Sequence, residues 1–139
     1  DKVRGWLPSL YNNQGWTLFE LGRFDEARVF QQKCLAWHEQ HNNTAKAFIA
    51  RWSLARLTRA QGLHEQALAE LKQLQLEMTE AGEPEDGYLF EELGENALVL
   101  DDPAAPEYFS RAWFLLSQDR WFKANEAERL ARLKQLAKL

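Results

Sequence analysis

The segment Leu21-Gly22-Arg23-Phe24-Asp25-Glu26-Ala27 returns forty residues later as Gln61-Gly62-Leu63-His64-Glu65-Gln66-Ala67. A third, degraded copy aligns Ala105 with Ala67 at an offset of 38. Repetition at a fixed period constrains a chain strongly. Each copy is one supersecondary unit that cannot bury its apolar face alone, so the copies must stack.

The periodicity within each copy is helical. Apolar or small residues recur at three- and four-residue spacing at Leu10, Tyr11, Gly15, Leu18 and Leu21, then at Ala27, Phe30, Cys34, Leu35 and Trp37. Similar stretches run over 45–61, 64–80, 88–100 and 105–117, with no sustained period-two alternation. The breaks fall on helix punctuation: Gly22, Gly62, Gly82-Glu83-Pro84 and Asp102-Pro103. Asn125 followed by Glu128 reads as a cap with its reciprocal partner, opening a last helix through Leu136. The expected class is all-α. Each unit is a helix, a tight turn and a second helix beginning near a small Ala, because antiparallel helices meet closely only over Gly or Ala.

On these residues the sequence resembles the tetratricopeptide repeat family over about residues 7–118. Tyr11, Gly15, Leu18, Gly22, Phe24, Ala27 and Cys34 match in the first unit, and Leu54, Ala55, Gly62, Ala67 and Leu71 in the second. Phe90, Leu93, Gly94, Ala105, Phe109 and Ala112 match in the third, its turn altered to Asp101-Asp102-Pro103. The period resembles the long-helix variety of kinesin light chains and bacterial regulators. The stretch 115–133 is similar to the ends of uncharacterised bacterial tetratricopeptide proteins. The resemblance implies one domain over 1–139, a right-handed α-solenoid of three hairpins (about 7–41, 44–81 and 85–118) and a C-terminal capping helix at about 122–138. Leu130, Leu133 and Leu136 would form the sealing face of that helix. Gln31 stands where the family has an aromatic, with Phe30 one step earlier. Arg51 stands at an apolar slot, leaving Phe48 or Trp52 to take its packing role. The chain opens on Asp1, contains Met78 alone and has no polar cap before Trp6, which suggests the last repeats of a longer array.

Catalytic constellations are nearly absent. The seven glycines never cluster into a phosphate-cradling loop. Cys34 and His38 lie one helical turn apart, as a thiolate–imidazole pair requires. No third orienting group accompanies them, which favours a small core cysteine and a surface histidine. His38 and His41 lack further ligands for a metal, and Glu39, His64 and Glu65 follow no recognised spacing. No cofactor, metal or reaction is expected. The single cysteine excludes an internal disulfide. Apolar runs such as Trp113–Leu116 are too short to span a bilayer, and no signal peptide opens the chain. A cytoplasmic location is expected.

The family binds peptides or partner helices along the first helix of each hairpin. That face would carry Ser9, Asn12, Asn13, Trp16 and Glu20 in the first unit. It would carry Trp52, Ser53, Arg56 and Arg59 in the second, and Tyr88, Glu91, Glu92 and Glu95 in the third. Asn13 falls where long-helix relatives hold a ligand's backbone, but the lysines of a carboxylate clamp are missing. The alternative is that these are solvated polar stripes. Of the six tryptophans, Trp37, Trp113 and Trp121 are expected to wedge between helices. Trp6, Trp16 and Trp52 either pack or serve as concave anchors. The function expected is a non-catalytic module binding a protein or peptide. The alternatives are an oligomerisation unit pairing through its ends, as in a homodimer, or the sensory part of a bacterial regulator.

Charge adds a polarity. The net charge of −4 argues against nucleic acid as a partner. It conceals +3 over residues 1–72, −11 over 73–110 where no Lys or Arg occurs, and +4 over 111–139. One end of the groove is therefore expected to be negative and to steer a partly basic peptide, unless the block is merely a solvated acidic surface.

Overall fold

The computed structural model describes residues 6–139. Among them are eight helices and no strand: α1 (Leu7–Glu20), α2 (Phe24–Gln40), α3 (Thr44–Ala60), α4 (His64–Glu80), α5 (Gly87–Val99), α6 (Ala105–Leu116), α7 (Arg120–Asn125) and α8 (Ala127–Leu136). The expected absence of a polar cap before Trp6 concerns residues outside those described.

The first five of these helices end in one recurring way. A residue with positive φ follows at Gly22 (76°), Asn42 (57°), Gly62 (81°), Gly82 (76°) and Asp101 (56°). At Gly22, Arg23 N–H then donates to Leu18 O at 2.9 Å. Leu63 N–H donates to Thr58 O at 3.1 Å after Gly62, and Asn43 N–H to His38 O at 2.9 Å after Asn42. This left-handed closure satisfies carbonyls that a helix end would otherwise leave open. Glycine takes it without a Cβ penalty, and Asn and Asp tolerate it. Asn42 therefore performs the job expected of the glycines, and Asp101 performs it within the expected Asp101-Asp102-Pro103 turn.

The chain divides into two compact units between Leu63 and His64. In the first, α1 packs on α2 and α2 on α3. Leu18, Ala27 and Leu57 form a buried cluster flanked by Phe19, Phe24, Phe30 and Leu54. In the second, α5 packs on α4 and on α6, and α8 on α6 and α7. Leu93, Phe109, Phe122 and Leu133 are fully buried there. Each unit is a series of consecutively packed helices, as in a helical-repeat fold. Trp121, expected to wedge between helices, is instead 60% exposed, and Trp6 is 71% exposed.

The small residues sit where the helices come closest. Ala27, Ala67 and Ala105 are all buried. A Cβ on Gly94 of α5 would lie 2.8 Å from Cε1 of Phe109 on α6, and one on Gly15 of α1 would lie 2.6 Å from Nε2 of Gln31 on α2. Gln31 is thus the core residue at the slot where an aromatic was expected. Phe30 stays at the edge, its ring 6.5 Å from that of Tyr11. In the second copy Phe48 takes the buried place and Arg51 is half-buried.

The C-terminal segment departs from expectation. It is two helices, and Asn125 caps neither. Asp119 starts α7 early by accepting from Phe122 N–H at 2.9 Å. Glu126 (φ −126°, ψ 42°) interrupts the helix, and Asn125 Nδ2 donates back to Trp121 O at 2.8 Å.

The two close approaches differ in what must yield. Phe109 is a fully buried ring, whereas Gln31 meets the new atom first with its side-chain end. Ala gains about 1 kcal/mol over Gly in helix propensity, against an overpacking cost of about 1–3 kcal/mol in a tight core. Gly94→Ala is expected to be net destabilising and Gly15→Ala close to neutral in urea unfolding. Equal midpoints for the two variants would refute this packing account.

Candidate functional site

The first unit brings three of the expected contact residues, Trp16, Trp52 and Arg56, together. Trp16 on α1 and Trp52 on α3 are half-buried, their ring centroids 6.1 Å apart. The Arg56 guanidinium lies 5.0 Å from the Trp16 ring, 5.7 Å from Trp52 and 5.3 Å from Phe19. A cation among three aromatic faces is held by the ring quadrupoles and pins both helices' side chains in place. Asn12 is half-buried beside this cluster in sequence, and its Oδ1 accepts a long 3.5 Å hydrogen bond from Gln31 Nε2. Asn13 is exposed, as are Ser9 and Glu20. Ser53 is buried, and Arg59 is half-buried. Phe19 was missed as a member of the cluster. Its signal was available, since it stands three residues after Trp16 on the same helical stripe.

The third stripe is not an open groove. Glu91 and Glu92 are buried, and Glu91 accepts two bonds from Arg129 of α8. Glu95 likewise pairs with Arg132, and Tyr88 packs edge-on against Phe122 at 5.8 Å. Glu85 takes two bonds from Arg111, whose guanidinium holds that carboxyl below the ordinary carboxylate range. The basic tail therefore answers part of the acidic block within the second unit. The negative groove end expected from charge counting is neutralised at three of its carboxylates. The pairing of Arg129 and Arg132 of the cap helix with these carboxylates was not foreseen, although they follow Glu91 and Glu95 by 38 and 37 residues, close to the repeat period.

The second unit also has an open cleft of about 590 Å³, lined by Gln75, Glu85, Phe90, Tyr108, Arg111 and Phe114. It gathers none of the contact residues expected from sequence.

The candidate chemistry of the first hairpin dissolves into its core. Cys34 is buried with Sγ 3.6 Å from Pro8 O, and burial pushes its thiol up, away from the nucleophilic thiolate. His38, expected at the surface, is only 6% exposed, and its Nδ1 has no hydrogen-bond partner. Burial, then the nearby positive charges of Lys46 and His41, hold its imidazolium form down. His41 is exposed, stacked on Trp37 at 3.8 Å. Among the described residues no three His, Cys, Asp or Glu side chains gather as metal ligands. No described helix is long and apolar enough to cross a membrane.

The sequence model of the tetratricopeptide repeat matches residues 8–41, the α1–α2 hairpin that carries Trp16, Gln31 and His38. The match covers about a quarter of the chain, so it is this hairpin that is similar to a tetratricopeptide repeat. Repeats of this kind generally serve as non-catalytic scaffolds for protein interaction. Comparison with curated proteins and with solved structures gives no match in either.

His38 gives the repeat a pH dependence of defined sign. Its folded pKa lies below the unfolded value of about 6.5. Above that value both states are neutral and nothing is gained. As pH falls below it the unfolded chain takes up a proton first, so stability declines. The equivalent positions in the later copies hold Met78 and Leu116. His38→Leu is expected to flatten the fall in melting temperature below about pH 6.5. An unchanged slope would exclude His38 as its source.

Proposed function

We propose that this chain is a non-catalytic module that binds a protein or peptide through the inward face of its first unit. Asn12, Asn13, Trp16, Trp52, Arg56 and Arg59 would supply the contacts. The observation that carries the reading is the Trp16–Arg56–Trp52 cluster on α1 and α3. Half-buried tryptophans braced by a cation give large contact area at little entropic cost, as interface anchors do. Asn13, exposed one turn before the cluster, offers both a donor and an acceptor to an extended backbone. The match to a repeat that generally scaffolds protein interaction supports the same reading. No catalytic residue is assigned. Tyr88, Glu91 and Glu95 lie outside this face, since the chain's own C-terminal helices already engage them.

A random-peptide library selected against the whole chain tests the proposal. Peptides so obtained are expected to lose about tenfold or more in affinity for Trp52→Ala, the loss of a typical anchor. Asn13→Ala should weaken them less, with helicity by circular dichroism unchanged. Selected peptides that bind the Trp52→Ala and Arg56→Ala variants as tightly as the parent would place the contact surface elsewhere.

A further inference from the structure

The first hairpin places a cation on a pair of rings. Tyr11 on α1 and Phe30 on α2 have ring centroids 6.5 Å apart. Lys33, one turn after Phe30, sets its ammonium 5.2 Å from the Phe30 ring and 5.9 Å from the Tyr11 ring. Both distances are within reach of a cation–π contact. The small residues at the close helix approaches align Gly15 with Gly94 and Ala27 with Ala105. In that alignment Phe90, Tyr108 and Arg111 stand at the places of Tyr11, Phe30 and Lys33. Two aromatic residues and a cation thus recur in the same register.

The third hairpin uses its cation elsewhere. Arg111 Nε donates to Glu85 Oε2 at 2.9 Å, and its Nη2 donates to Oε1 of the same carboxylate. The guanidinium lies 5.2 Å from the ring of Phe114. Among the described residues no side-chain cation sits over Phe90 or Tyr108. Glu85 comes from the long connection 81–86, which stands where a three-residue turn precedes α3. Phe90 and Tyr108 instead line the open cleft of about 590 Å³, with Phe114, the Glu85–Arg111 pair and Glu107. That volume is in the range of sites that hold small molecules, and exceeds what one lysine side chain fills.

The cleft is negatively charged. Glu85 and Arg111 offset each other, whereas Glu107 makes no hydrogen bond or ion pair among the described residues. The first and second copies hold Val29 and Ala69 at its place, so this carboxylate is particular to the third hairpin. No Lys or Arg occurs over residues 73–110, which leaves the surrounding field favourable to a cation.

We propose that this cleft binds a small organic ammonium compound. Its charged end lies between Glu107 and the Phe90 and Tyr108 rings, as the Lys33 ammonium lies on Tyr11 and Phe30, and its apolar body lies along Phe114. The ligand supplies the cation that Arg111 withholds. This site is separate from the Trp16–Trp52 face and does not rest on it.

Benzylamine, a cation at neutral pH, and benzyl alcohol, its uncharged counterpart, are the probes. Each is titrated into the isotope-labelled whole chain and followed by amide NMR shifts. Benzylamine should move amides over 85–90 and 104–114 and leave 7–40 in place, where Lys33 already covers the rings. It should bind about fivefold or more tightly than benzyl alcohol, the scale of a partly exposed cation contact. Glu107→Gln, at an exposed side chain without a bond to lose, should remove that preference. Tyr108→Leu should weaken benzylamine more than benzyl alcohol. Equal binding of the two probes, a preference that survives Glu107→Gln, or shifts confined to other helices overturns the proposal. Nα-acetyl-lysine methylamide is expected to bind more weakly than benzylamine. Tighter binding would assign the cleft to a lysine side chain of a protein and exclude the small ligand.

Discussion

Everything in this chain depends on closing a helix with a left-handed residue about every twenty positions. Gly22, Asn42 and Gly62 each sit in a three-residue turn, and Gly82 and Asp101 open the longer connections 81–86 and 100–104. The helices between the first four closures, α2, α3 and α4, have 17 residues each. A helix of that length spans about 25 Å. Each step of helix plus turn takes about twenty residues, and the forty-residue repeat in the sequence is two such steps. Without the positive-φ closure the chain would leave the helix at a different angle, and Gly94 would no longer lie against Phe109.

The closures also explain where the repeat tolerates substitution. At Gly22, Gly62 and Gly82 no atom lies near the missing Cβ. Conformation, not crowding, selects glycine there, which is why Asn and Asp can stand in at positions 42 and 101. At Gly15 and Gly94 the reverse holds: the backbone is ordinary helix, and a facing side chain fills the space. Two different physical demands thus select the same residue type. Only the second depends on the partner helix, and its partners can be as unlike as Gln31 and Phe109.

That distinction marks how far the sequence could be read. Helix content, the turns at glycine and the small-residue register were legible because each has a local cause and recurs. Asn42 was harder, since that residue is also common in ordinary loops. His38 was read as a surface residue and Gln31 only as a departure from the family's aromatic slot, and burial depends on what the neighbouring helix lacks. Gly15 opens the space that Gln31 fills, and a later copy puts leucine where His38 stands. The stripe Tyr88, Glu91, Glu95 was correctly placed on one helical face. What covers that face comes from residues nearly forty positions away, and no local pattern announces it. The break at Glu126 escaped notice because Asn125 has the composition of a helix start while its side chain serves a helix end.

The charge pattern acquires a mechanical meaning from these contacts. Exposed ion pairs contribute little to stability, and Arg111–Glu85 and Arg132–Glu95 are at least partly open to solvent. Glu91 is different, because it is buried and would be costly without a cation. Its pair with Arg129 does less to stabilise the unit than to dictate what must lie beside α5. A hydrophobic contact there would accept many segments; a buried carboxylate between two rings accepts those with arginine at one position. The acidic block of residues 73–110 and the basic tail after it thus meet at three carboxylates, Glu85, Glu91 and Glu95. In the first unit Trp16, Phe19 and Trp52 surround the Arg56 guanidinium. Aromatic surface rather than charge is the dominant feature there. The two units therefore place arginine differently, one among aromatic rings of α1 and α3 and the other against a buried carboxylate of α5.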